Sequence, residues 1–419
     1  MVDIKQLTKN PELFAQELTK RNKDPQLALD LAKEYTNLLE EQKSLDSLRH
    51  KKNQFNDEVI KLEGVEKANA IASMKSLSES IKELELSTSK IKTKVEELLY
   101  KIPNLTSEHT PVGKDSDDNK VNEYFGDKST FTFTPKHYHE LPIFKKNYLG
   151  EKGVEAFGTR GYYIKGDLAL LQKALFDYIL EQIVAQGFDY VIPPIMVNEK
   201  TMYGTGFFPD GLEDAYVVNA GDKAFYLVGT SEAPLMYMNS NATIDLTKPQ
   251  LLTALTPCFR KEAGSYGKDT QGGIRVHQFD KIETVAICKP EDSNTVFDLI
   301  TKIFTDNMIS LGLHFQHLEV CTGDISIKNN RQIDIEAWFP AQDQYRELAS
   351  SSNCTDYQTR NLNITFIDSN GDKQLAHSLN CTGVTNRTMF AILEQFQQED
   401  GSVIVPEVLV NRLGKNILI

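Results

Sequence analysis

Residues Cys258–Glu283 read CFRKEAGSYGKDTQGGIRVHQFDKIE. The apolar residues that lead into this segment predict a β-strand, its middle is a polar loop rich in glycine, and its end predicts a second strand that returns along the first. A hairpin of this kind places polar and aromatic side chains along one of its sides. The side chains concerned are Arg260, Glu262, Arg275, Phe279 and Glu283.

The chemistry of this hairpin suits a nucleoside triphosphate. Planar guanidinium groups bind phosphates, an aromatic ring offers a face to the base, and carboxylates accept hydrogen bonds from an exocyclic amine. A surface hairpin with alternating charges explains the same residue types equally well. The pattern alone therefore leaves a nucleotide site and a solvated hairpin as open alternatives.

The composition of the 419-residue chain is that of an ordinary water-soluble protein, with 40% hydrophobic and 25% charged residues. Its length leaves room for two or three domains. No apolar run approaches the roughly 18 residues that cross a bilayer, and we expect no signal peptide, because the N-terminus lacks an apolar segment. Five cysteines without a CxxC pair predict neither a disulfide framework nor a structural zinc site and suit the reducing cytoplasm. Because the net charge is −13, any RNA contact should depend on local basic patches.

The first quarter of the chain predicts an antiparallel helical coiled-coil hairpin. Between 70 and 102, apolar residues recur at alternating spacings of four and three. A similar but less regular stripe precedes Gly64, which separates two segments of similar length. The pattern predicts two helices of about 50 Å each, with the tip of the hairpin near 62–66. A coiled coil that joins two chains is the alternative interpretation.

Beyond Pro103 the chain changes character. A polar segment rich in turn formers, 106–122, predicts a linker between a helical domain, 1–105, and a second domain, 123–419. Strand patterns outnumber helix patterns in the second domain and short turns join several of them. We therefore expect an antiparallel sheet flanked by helices, and an α+β fold for the whole chain. The predicted strands are 190–197, 225–229, 251–259, 282–287 and 333–339, and the predicted helices are 168–186, 293–312 and 388–397.

The hairpin residues closely resemble motif 2 of the class II aminoacyl-tRNA synthetases, and FRxEAGSYG followed by RxHQFxKxE resembles the seryl branch of that family. Further segments resemble, in chain order, motif 1, the TxE loop, the YREISSCSN segment and motif 3 of this branch. These segments are Tyr190–Val197, Leu227–Glu232, Tyr345–Cys354 and Asn380–Gln397. The N-terminal hairpin is similar to the tRNA-binding arm of the family, so the resemblance covers nearly the whole chain.

The resemblance implies a ligase that activates serine with ATP, releasing pyrophosphate, and transfers serine to tRNA with release of AMP. The implied catalytic residues are Arg260, Glu347 and Arg387, and Glu347 together with Ser350 would bind the Mg²⁺ that accompanies ATP. The implied ATP-binding residues are Arg260, Lys261, Glu262, Val276, Phe279, Glu347, Leu348, Ala349, Ser350 and Arg387. The implied serine-binding residues are Thr230, Ser231, Glu232, Arg260, Glu283, Asn380 and Thr382.

The resemblance also implies partners. They are serine, ATP, tRNA(Ser) and a second copy of the chain in a cytoplasmic homodimer, with tRNA(Sec) left open as a further substrate. On the helical arm, Arg49, Lys51 and Lys52 would contact tRNA, although a basic run of this kind is ordinarily a solvated helix face. Two rival interpretations are an inactive tRNA-binding relative and an arm-less paralogue that loads a carrier protein. The intact Arg260 and Glu347 argue against the first, and the helical hairpin argues against the second.

Motif 3 contains the main departure from the family pattern. The family stretch NGSGLAVGR has seven residues between its asparagine and its arginine, whereas six residues separate Asn380 from Arg387. Because apolar residues after Arg387 fix the register of a helix, we expect the loss to be absorbed within 383–386. Thr382 would then stay in the serine pocket, and Arg387 would stay near a helix N-terminus, where phosphate is favoured.

Overall fold

The computed structural model describes residues 1–59, 62–263 and 272–419. The chain divides into two compact units, Met1–Leu105 and Thr106–Ile419. No helix within the described ranges combines the length and the apolar content that crossing a membrane requires.

The first unit is helical, with two short helices followed by two long ones. Their bounds are Ile4–Lys9 (α1), Pro11–Lys20 (α2), Gln26–Val59 (α3) and Gly64–Leu99 (α4). Asp3 caps α1, since its carboxylate accepts hydrogen bonds from the backbone N–H groups of Lys5 and Gln6. Gly64 begins α4 with a φ of 59°, a left-handed conformation that glycine adopts without the steric cost of a side chain.

The two long helices form an antiparallel hairpin. Lys94 donates to Glu34 at 2.6 Å and Arg49 donates to Glu85 at 2.7 Å, so residues early in one helix lie beside residues late in the other. Buried apolar residues on these helices include Leu31, Leu45, Ile81 and Val95. The predicted hairpin is confirmed, and its coiled-coil contacts form within a single chain.

The second unit combines a large sheet with small sheets and helices. Its helices are Pro142–Asn147 (α5), Gly150–Phe157 (α6), Gly166–Ala185 (α7), Glu199–Gly204 (α8), Glu232–Tyr237 (α9), Ser293–Ser310 (α10), Tyr357–Leu362 (α11), Asn386–Gln395 (α12) and Glu407–Leu413 (α13). Its strands are Lys120–Phe125 (β1), Tyr148–Leu149 (β2), Tyr163–Ile164 (β3), Asp189–Tyr190 (β4), Met196–Asn198 (β5), Val217–Ala220 (β6), Lys223–Leu227 (β7), Gln250–Phe259 (β8), Gln278–Cys288 (β9), Phe315–Glu319 (β10), Arg331–Phe339 (β11), Gln344–Thr355 (β12), Thr365–Ile367 (β13), Lys373–Leu375 (β14), His377–Thr385 (β15), Val403–Ile404 (β16) and Ile417–Leu418 (β17).

The main sheet has eight strands within the described residues, in the order β1–β10–β11–β12–β15–β9–β8–β4. Neighbouring strands are antiparallel, except that β4 runs parallel to β8. Alternate residues of the central strand β9 face opposite sides of the sheet. Ile282 and Ala286 pack in an apolar cluster with residues of α7, α10 and α12, whereas Val285 and Ile287 pack in a second cluster with residues of α9. The predicted antiparallel sheet flanked by helices is confirmed.

The segment 106–122, predicted as a linker, packs as part of the second unit. The Ser107 N–H donates to the Asn330 carbonyl at 2.9 Å, and the Thr322 N–H donates to the Pro111 carbonyl at 2.9 Å. The end of the segment enters β1, which pairs with β10 at the edge of the main sheet. The turn-forming residues predicted a linker, because the residues that bind this segment lie far away along the chain and give no local signal.

The predicted strand 190–197 consists of two short strands in different sheets. β4 extends the main sheet, and β5 pairs with β7 in a separate sheet. Pro193 and Pro194 lie between them and have no N–H to donate to a ladder. A single apolar run is therefore interrupted where its backbone donors are missing.

Candidate active site

Strand β9 and its neighbours bring polar side chains to one face of the main sheet. Residues two apart on a strand face the same side, so Phe279, Lys281 and Glu283 of β9 share this face. Arg260 directly follows the last residue of β8, and Thr382 on β15 pairs with Glu283 across the ladder. Three adjacent strands thus place their polar residues together.

A cavity that is partly open to solvent lies on this face. It is lined by residues from motif 2, from β12 and from motif 3. The predicted site residues among them are Arg260, Glu262, Val276, Phe279, Glu347, Leu348, Ala349, Ser350, Thr382 and Arg387. The sequence did not single out Ile274, Lys281, Thr385 and Asn386, which also line it. Strand alternation with Glu283 could have identified Lys281.

Lys261 and Arg275 of the motif 2 hairpin do not line the cavity. Lys261 is exposed, and its backbone N–H donates to the Asp214 carbonyl at 2.9 Å. Arg275 instead forms an ion pair with Glu262, with Nη1 and Oε2 3.2 Å apart. Glu262 has a φ of 54°, a left-handed conformation that is uncommon for a residue with a side chain. The predicted glycine-rich loop falls largely on 264–271, outside the described residues.

An ion pair joins motif 3 to β12 in the cavity. Nη1 of Arg387 lies 3.2 Å from Oε2 of Glu347 and donates to the Glu347 carbonyl at 3.1 Å. Desolvation by the cavity walls opposes ionisation of Glu347, although 49% of its side chain is exposed. The guanidinium groups of Arg387 and Arg260 outweigh this effect and lower the pKa of Glu347. Glu347 is therefore an ionised carboxylate at neutral pH.

Arg260 brings a second guanidinium group to the cavity. Its guanidinium carbon lies 5.4 Å from the centre of the Phe279 ring, within the range of a cation–π contact. Its Nη2 donates to the Gly229 carbonyl at 3.3 Å. A planar cation next to an aromatic ring offers partners for both a phosphate and a base.

Oxygen ligands for a hard cation lie in the same cavity. Glu347 and Ser350 both line it, and Ser350 lies opposite Asp334 in the ladder of β12 and β11. Burial, and then the negative charge of Glu347, raise the pKa of Asp334. Mg²⁺ is usually bound by one or two carboxylates together with the phosphates of a substrate. The oxygen donors of Glu347 and Ser350 therefore fit a Mg²⁺ ion that arrives with a nucleotide.

The residues assigned to serine include a buried polar cluster beside the cavity. The Thr230 hydroxyl donates to Oε2 of Glu283 at 2.7 Å, and Lys281 forms an ion pair with the same carboxylate. Only 1% of Glu283 and 4% of Thr230 are exposed. Lys281 lines the cavity and Thr382 does so from the neighbouring strand, so the cluster is continuous with the cavity.

Three further residues assigned to serine are buried but do not line the cavity. Glu232 forms an ion pair with Lys328 and accepts a hydrogen bond from Gln358 at 2.7 Å. The Ser231 hydroxyl has no hydrogen-bond partner within the described part of the chain. Asn380 is 5% exposed. Lys328 and Gln358 come from segments distant in sequence from the TxE loop, and no sequence pattern indicated them.

The shortened motif 3 forms a bulged strand that leads directly into a helix. β15 bulges at Gly383, between Thr382 and Val384, and α12 begins at Asn386. A Cβ atom added at Gly383 would come within 2.7 Å of a neighbouring isoleucine side chain, so glycine fits this bulge. Thr382 and Arg387, on either side of the bulge, both line the cavity.

The basic residues assigned to tRNA lie on α3 of the first unit. Arg49 keeps half of its side chain exposed while it pairs with Glu85. Lys51 is exposed and Lys52 is partly buried. All three side chains are thus accessible to solvent to some extent.

The sheet, the cavity and their motifs define the core of a class II aminoacyl-tRNA synthetase. Residues 216–396 match the tRNA synthetase class II core domain (G, H, P, S and T), and residues 1–106 match the seryl-tRNA synthetase N-terminal domain. The serine–tRNA ligase of Elusimicrobium minutum is 39% identical over 435 residues, which cover 100% of both chains. The chain belongs to the seryl-tRNA synthetase family.

Solved structures agree with this assignment. The crystal structure of seryl-tRNA synthetase from Pyrococcus horikoshii complexed with ATP has a TM-score of 0.91 and 32% sequence identity, covering 100% of this chain and 99% of that one. The cytoplasmic serine–tRNA ligase from Naegleria fowleri in complex with AMP has a TM-score of 0.85 and 26% identity, covering 100% and 98% of the two chains. The whole chain, including its N-terminal unit, therefore has relatives of known structure.

Proposed function

We propose that this protein joins serine to AMP and then transfers the seryl group to tRNA(Ser). The observation that carries the proposal is the cavity in which Arg260, Glu347 and Arg387 meet beside the buried Glu283, although they come from separate segments of the chain. The relative from Pyrococcus horikoshii, whose structure holds ATP, supports ATP as the nucleotide. A solvated surface hairpin would not require a cavity lined by residues of three separate segments of the chain.

In the first step, the serine carboxylate attacks the α-phosphorus of ATP and pyrophosphate leaves. Displacement at phosphorus needs positioning and charge neutralisation rather than a protein nucleophile. Arg260 would neutralise the α-phosphate, and Arg387, the second residue of α12, would bind the γ-phosphate. Glu347 and Ser350 would hold Mg²⁺, which adds positive charge to the phosphates when it is bound with ATP.

The adenine base would lie against Phe279, with Glu262 and the backbone of Val276 as hydrogen-bond partners. Arg275 fixes the Glu262 carboxylate through the ion pair at 3.2 Å, so its orientation is set before the nucleotide binds. In the second step, a hydroxyl of the terminal adenosine of tRNA attacks the seryl carbonyl carbon and AMP leaves. The cavity therefore has to hold the adenylate until tRNA arrives.

Serine selection is assigned to the buried cluster. Glu283 would accept a hydrogen bond from the serine hydroxyl, and Thr382 would share that hydroxyl from the neighbouring strand. Alanine in the same place would leave buried polar groups unpaired. Sites of this kind reject an analogue without the hydroxyl by about 10⁴ or more.

The protein would bind tRNA and a second copy of itself in the cytoplasm. The arm formed by α3 and α4 would bind tRNA, with Arg49, Lys51 and Lys52 as candidate phosphate contacts, and tRNA(Sec) is to be tested as a second acceptor. A homodimer is supported by Tyr190 and Ile192 of motif 1, which are 45% and 84% exposed, since clustered exposed apolar residues mark interfaces. We also propose a cytoplasmic location, in keeping with a role in protein synthesis.

ATP–pyrophosphate exchange across a panel of amino acids tests the proposal. We expect exchange that requires serine and Mg²⁺ and that falls by on the order of 10² in Glu347→Gln, because an amide is a poor ligand for a hard cation. Glu181→Gln is the matched control, since Glu181 also pairs with an arginine but lies at the surface outside the cavity. A folded Glu347→Gln variant with the wild-type exchange rate would disprove the assignment of Glu347 as a Mg²⁺ ligand. Faster exchange with another amino acid would exclude serine as the preferred substrate.

A further inference from the structure

A buried ion pair lies behind the residues assigned to the amino-acid substrate. Nζ of Lys328 donates to Oε1 of Glu232, and the two side chains are 9% and 5% exposed. Nζ also lies 4.2 Å from the centre of the Phe207 ring. The Glu232 N–H donates to the Thr230 hydroxyl at 3.3 Å, and this hydroxyl donates in turn to Glu283. The pair is thus joined to the polar cluster beside the cavity.

A carboxylate buried to this extent needs a compensating cation. An unpaired charge in a protein interior is so unfavourable that the group takes up or loses a proton instead. Burial opposes the charge on Lys328, but the adjacent Glu232 outweighs burial and raises the pKa of Lys328. Lys328 is therefore a cation at neutral pH and lies directly beside Glu232.

Two donors hold one oxygen atom of Glu232. Besides Lys328, the side-chain amide of Gln358 donates to Oε1 at 2.7 Å and to the Thr205 carbonyl at 2.8 Å. Ser378 donates to the amide oxygen of Gln358 at 2.9 Å and so fixes its orientation. Among the residues that the structure describes, none donates a hydrogen bond to Oε2 of Glu232. The carboxylate is oriented through Oε1, and Oε2 keeps its capacity to accept.

We propose that Lys328 is a positioning residue for the amino-acid substrate: it compensates the charge of Glu232 and holds Oε1, so that Oε2 receives the α-ammonium group. The inference rests on the proposed function, in which Glu232 contacts serine. A charge-assisted hydrogen bond from an ammonium group requires an ionised acceptor. Lys328 touches no substrate in this arrangement and acts only through Glu232.

The other titratable groups near Glu232 do not replace this cation. The Cys354 thiol lies close to the pair, and burial raises its pKa to about 12, so that it is neutral. On the other side, Lys281 of β9 is already paired with Glu283. Lys328 is thus the cation that the structure shows in direct contact with Glu232.

The test is serine-dependent ATP–pyrophosphate exchange by the full-length protein with Lys328→Met, measured at about pH 6 and about pH 8. Without its cation, the charge of the buried Glu232 carboxylate would be uncompensated, so the carboxylate would take up a proton more readily at the lower pH. We expect the ratio of variant to wild-type serine KM to be about tenfold larger at the lower pH than at the higher pH, which corresponds to about one tenth of the Glu232 carboxylates being ionised at the lower pH in the variant. The KM for ATP should stay within about twofold of the wild type.

Two controls separate this role from a structural one. Lys328→Arg restores a cation, so its KM ratio should not depend on pH. Lys302→Met removes a surface lysine that pairs with Asp306 and should leave both KM values unchanged. Loss of a lysine with a purely structural role would give the same KM ratio at both pH values, or would raise the ATP KM together with the serine KM. Either result with Lys328→Met would refute the inference.

If Lys328→Met does not fold, Lys328→Gln provides a second measurement. Lys328→Gln removes the charge but keeps an amide that can donate to Oε1, and the same dependence of the KM ratio on pH is expected of it. A pH-independent ratio in a folded Lys328→Gln variant would also refute the inference. Wild-type protein without serine-dependent exchange would refute the proposed function itself, an outcome that the wild-type measurement alone reveals.

Discussion

Replacing Thr382 by valine removes one hydroxyl from the cavity wall and keeps the shape of the side chain. Thr382 is 3% exposed, and its hydroxyl makes no hydrogen bond to another of the described residues. Valine therefore leaves no described protein group unpaired, and we expect the variant to fold like the wild type. Thr382 pairs with Glu283 in the ladder of β15 and β9, so the change lies beside the proposed serine pocket.

The substitution should weaken the binding of serine and not the binding of ATP. In the proposed pocket, Thr382 and Glu283 share the serine hydroxyl, so valine leaves that hydroxyl with one partner fewer in a desolvated place. Such a loss is worth about 1–3 kcal/mol, which corresponds to a rise of about 5- to 150-fold in the serine KM. The KM for ATP should stay close to the wild-type value, because the phosphates and the base are assigned to other side chains.

The two KM values are measured by ATP–pyrophosphate exchange, with Thr388→Val as the matched control. Thr388 is fully buried in α12, and its hydroxyl also has no partner within the described residues, but it does not line the cavity. Arg387→Ala should show the reverse pattern, with a larger rise in the ATP KM. An unchanged serine KM in Thr382→Val would mean that the shortened motif 3 places Thr382 outside the serine pocket. A rise shared by Thr388→Val would point to packing instead.

Two further predictions concern the arm and a buried histidine. Replacing Asp30–Leu98 by a short linker should preserve ATP–pyrophosphate exchange and sharply reduce aminoacylation of tRNA, because the arm would supply the contacts that anchor the tRNA. Normal aminoacylation by this deletion variant would show that the arm does not have this role. Burial lowers the pKa of His317 to about 4 from 6.5, so its contribution to stability is complete above about pH 6.5 and is lost as the pH falls through about 4. Denaturant unfolding across this range should show a shallower pH dependence in His317→Gln, by up to about 3 kcal/mol, and parallel profiles would contradict the assignment.

The helices that support the site could be predicted closely from periodicity. The predicted helices 168–186 and 293–312 are observed as Gly166–Ala185 and Ser293–Ser310. Each has one face packed in the same apolar cluster, so the spacing of its apolar residues carries the information. The attachment of 106–122 to the second unit could not be predicted in this way, because it depends on hydrogen bonds to residues about 200 positions away.

Individual site residues could be assigned from motifs, but their pairing could not. Glu347 and Arg387 were assigned separately, and only the structure shows that they lie 3.2 Å apart. Lys281 was missed although strand alternation places it on the face of Glu283. Lys328 gives no such signal, because it lies in an irregular segment 96 residues from Glu232. Sequence motifs identify chemistry that is local, whereas charge compensation is a property of the folded chain.

The ion pairs of the site differ in what a single substitution would reveal. In Glu347→Gln, Arg387 keeps its hydrogen bond to the backbone carbonyl of residue 347 at 3.1 Å, and 49% of the Glu347 side chain is exposed. Loss of so exposed an ion pair lowers the free energy of unfolding by only about 0–1 kcal/mol. A large loss of exchange activity would therefore reflect the role of Glu347 in the reaction and not a loss of stability. Removal of Lys328 leaves a carboxylate that is 5% exposed without its cation, which costs about 3–5 kcal/mol. The rate alone is therefore informative for Glu347, whereas Lys328 has to be judged by the pH dependence of the serine KM and by rescue with arginine.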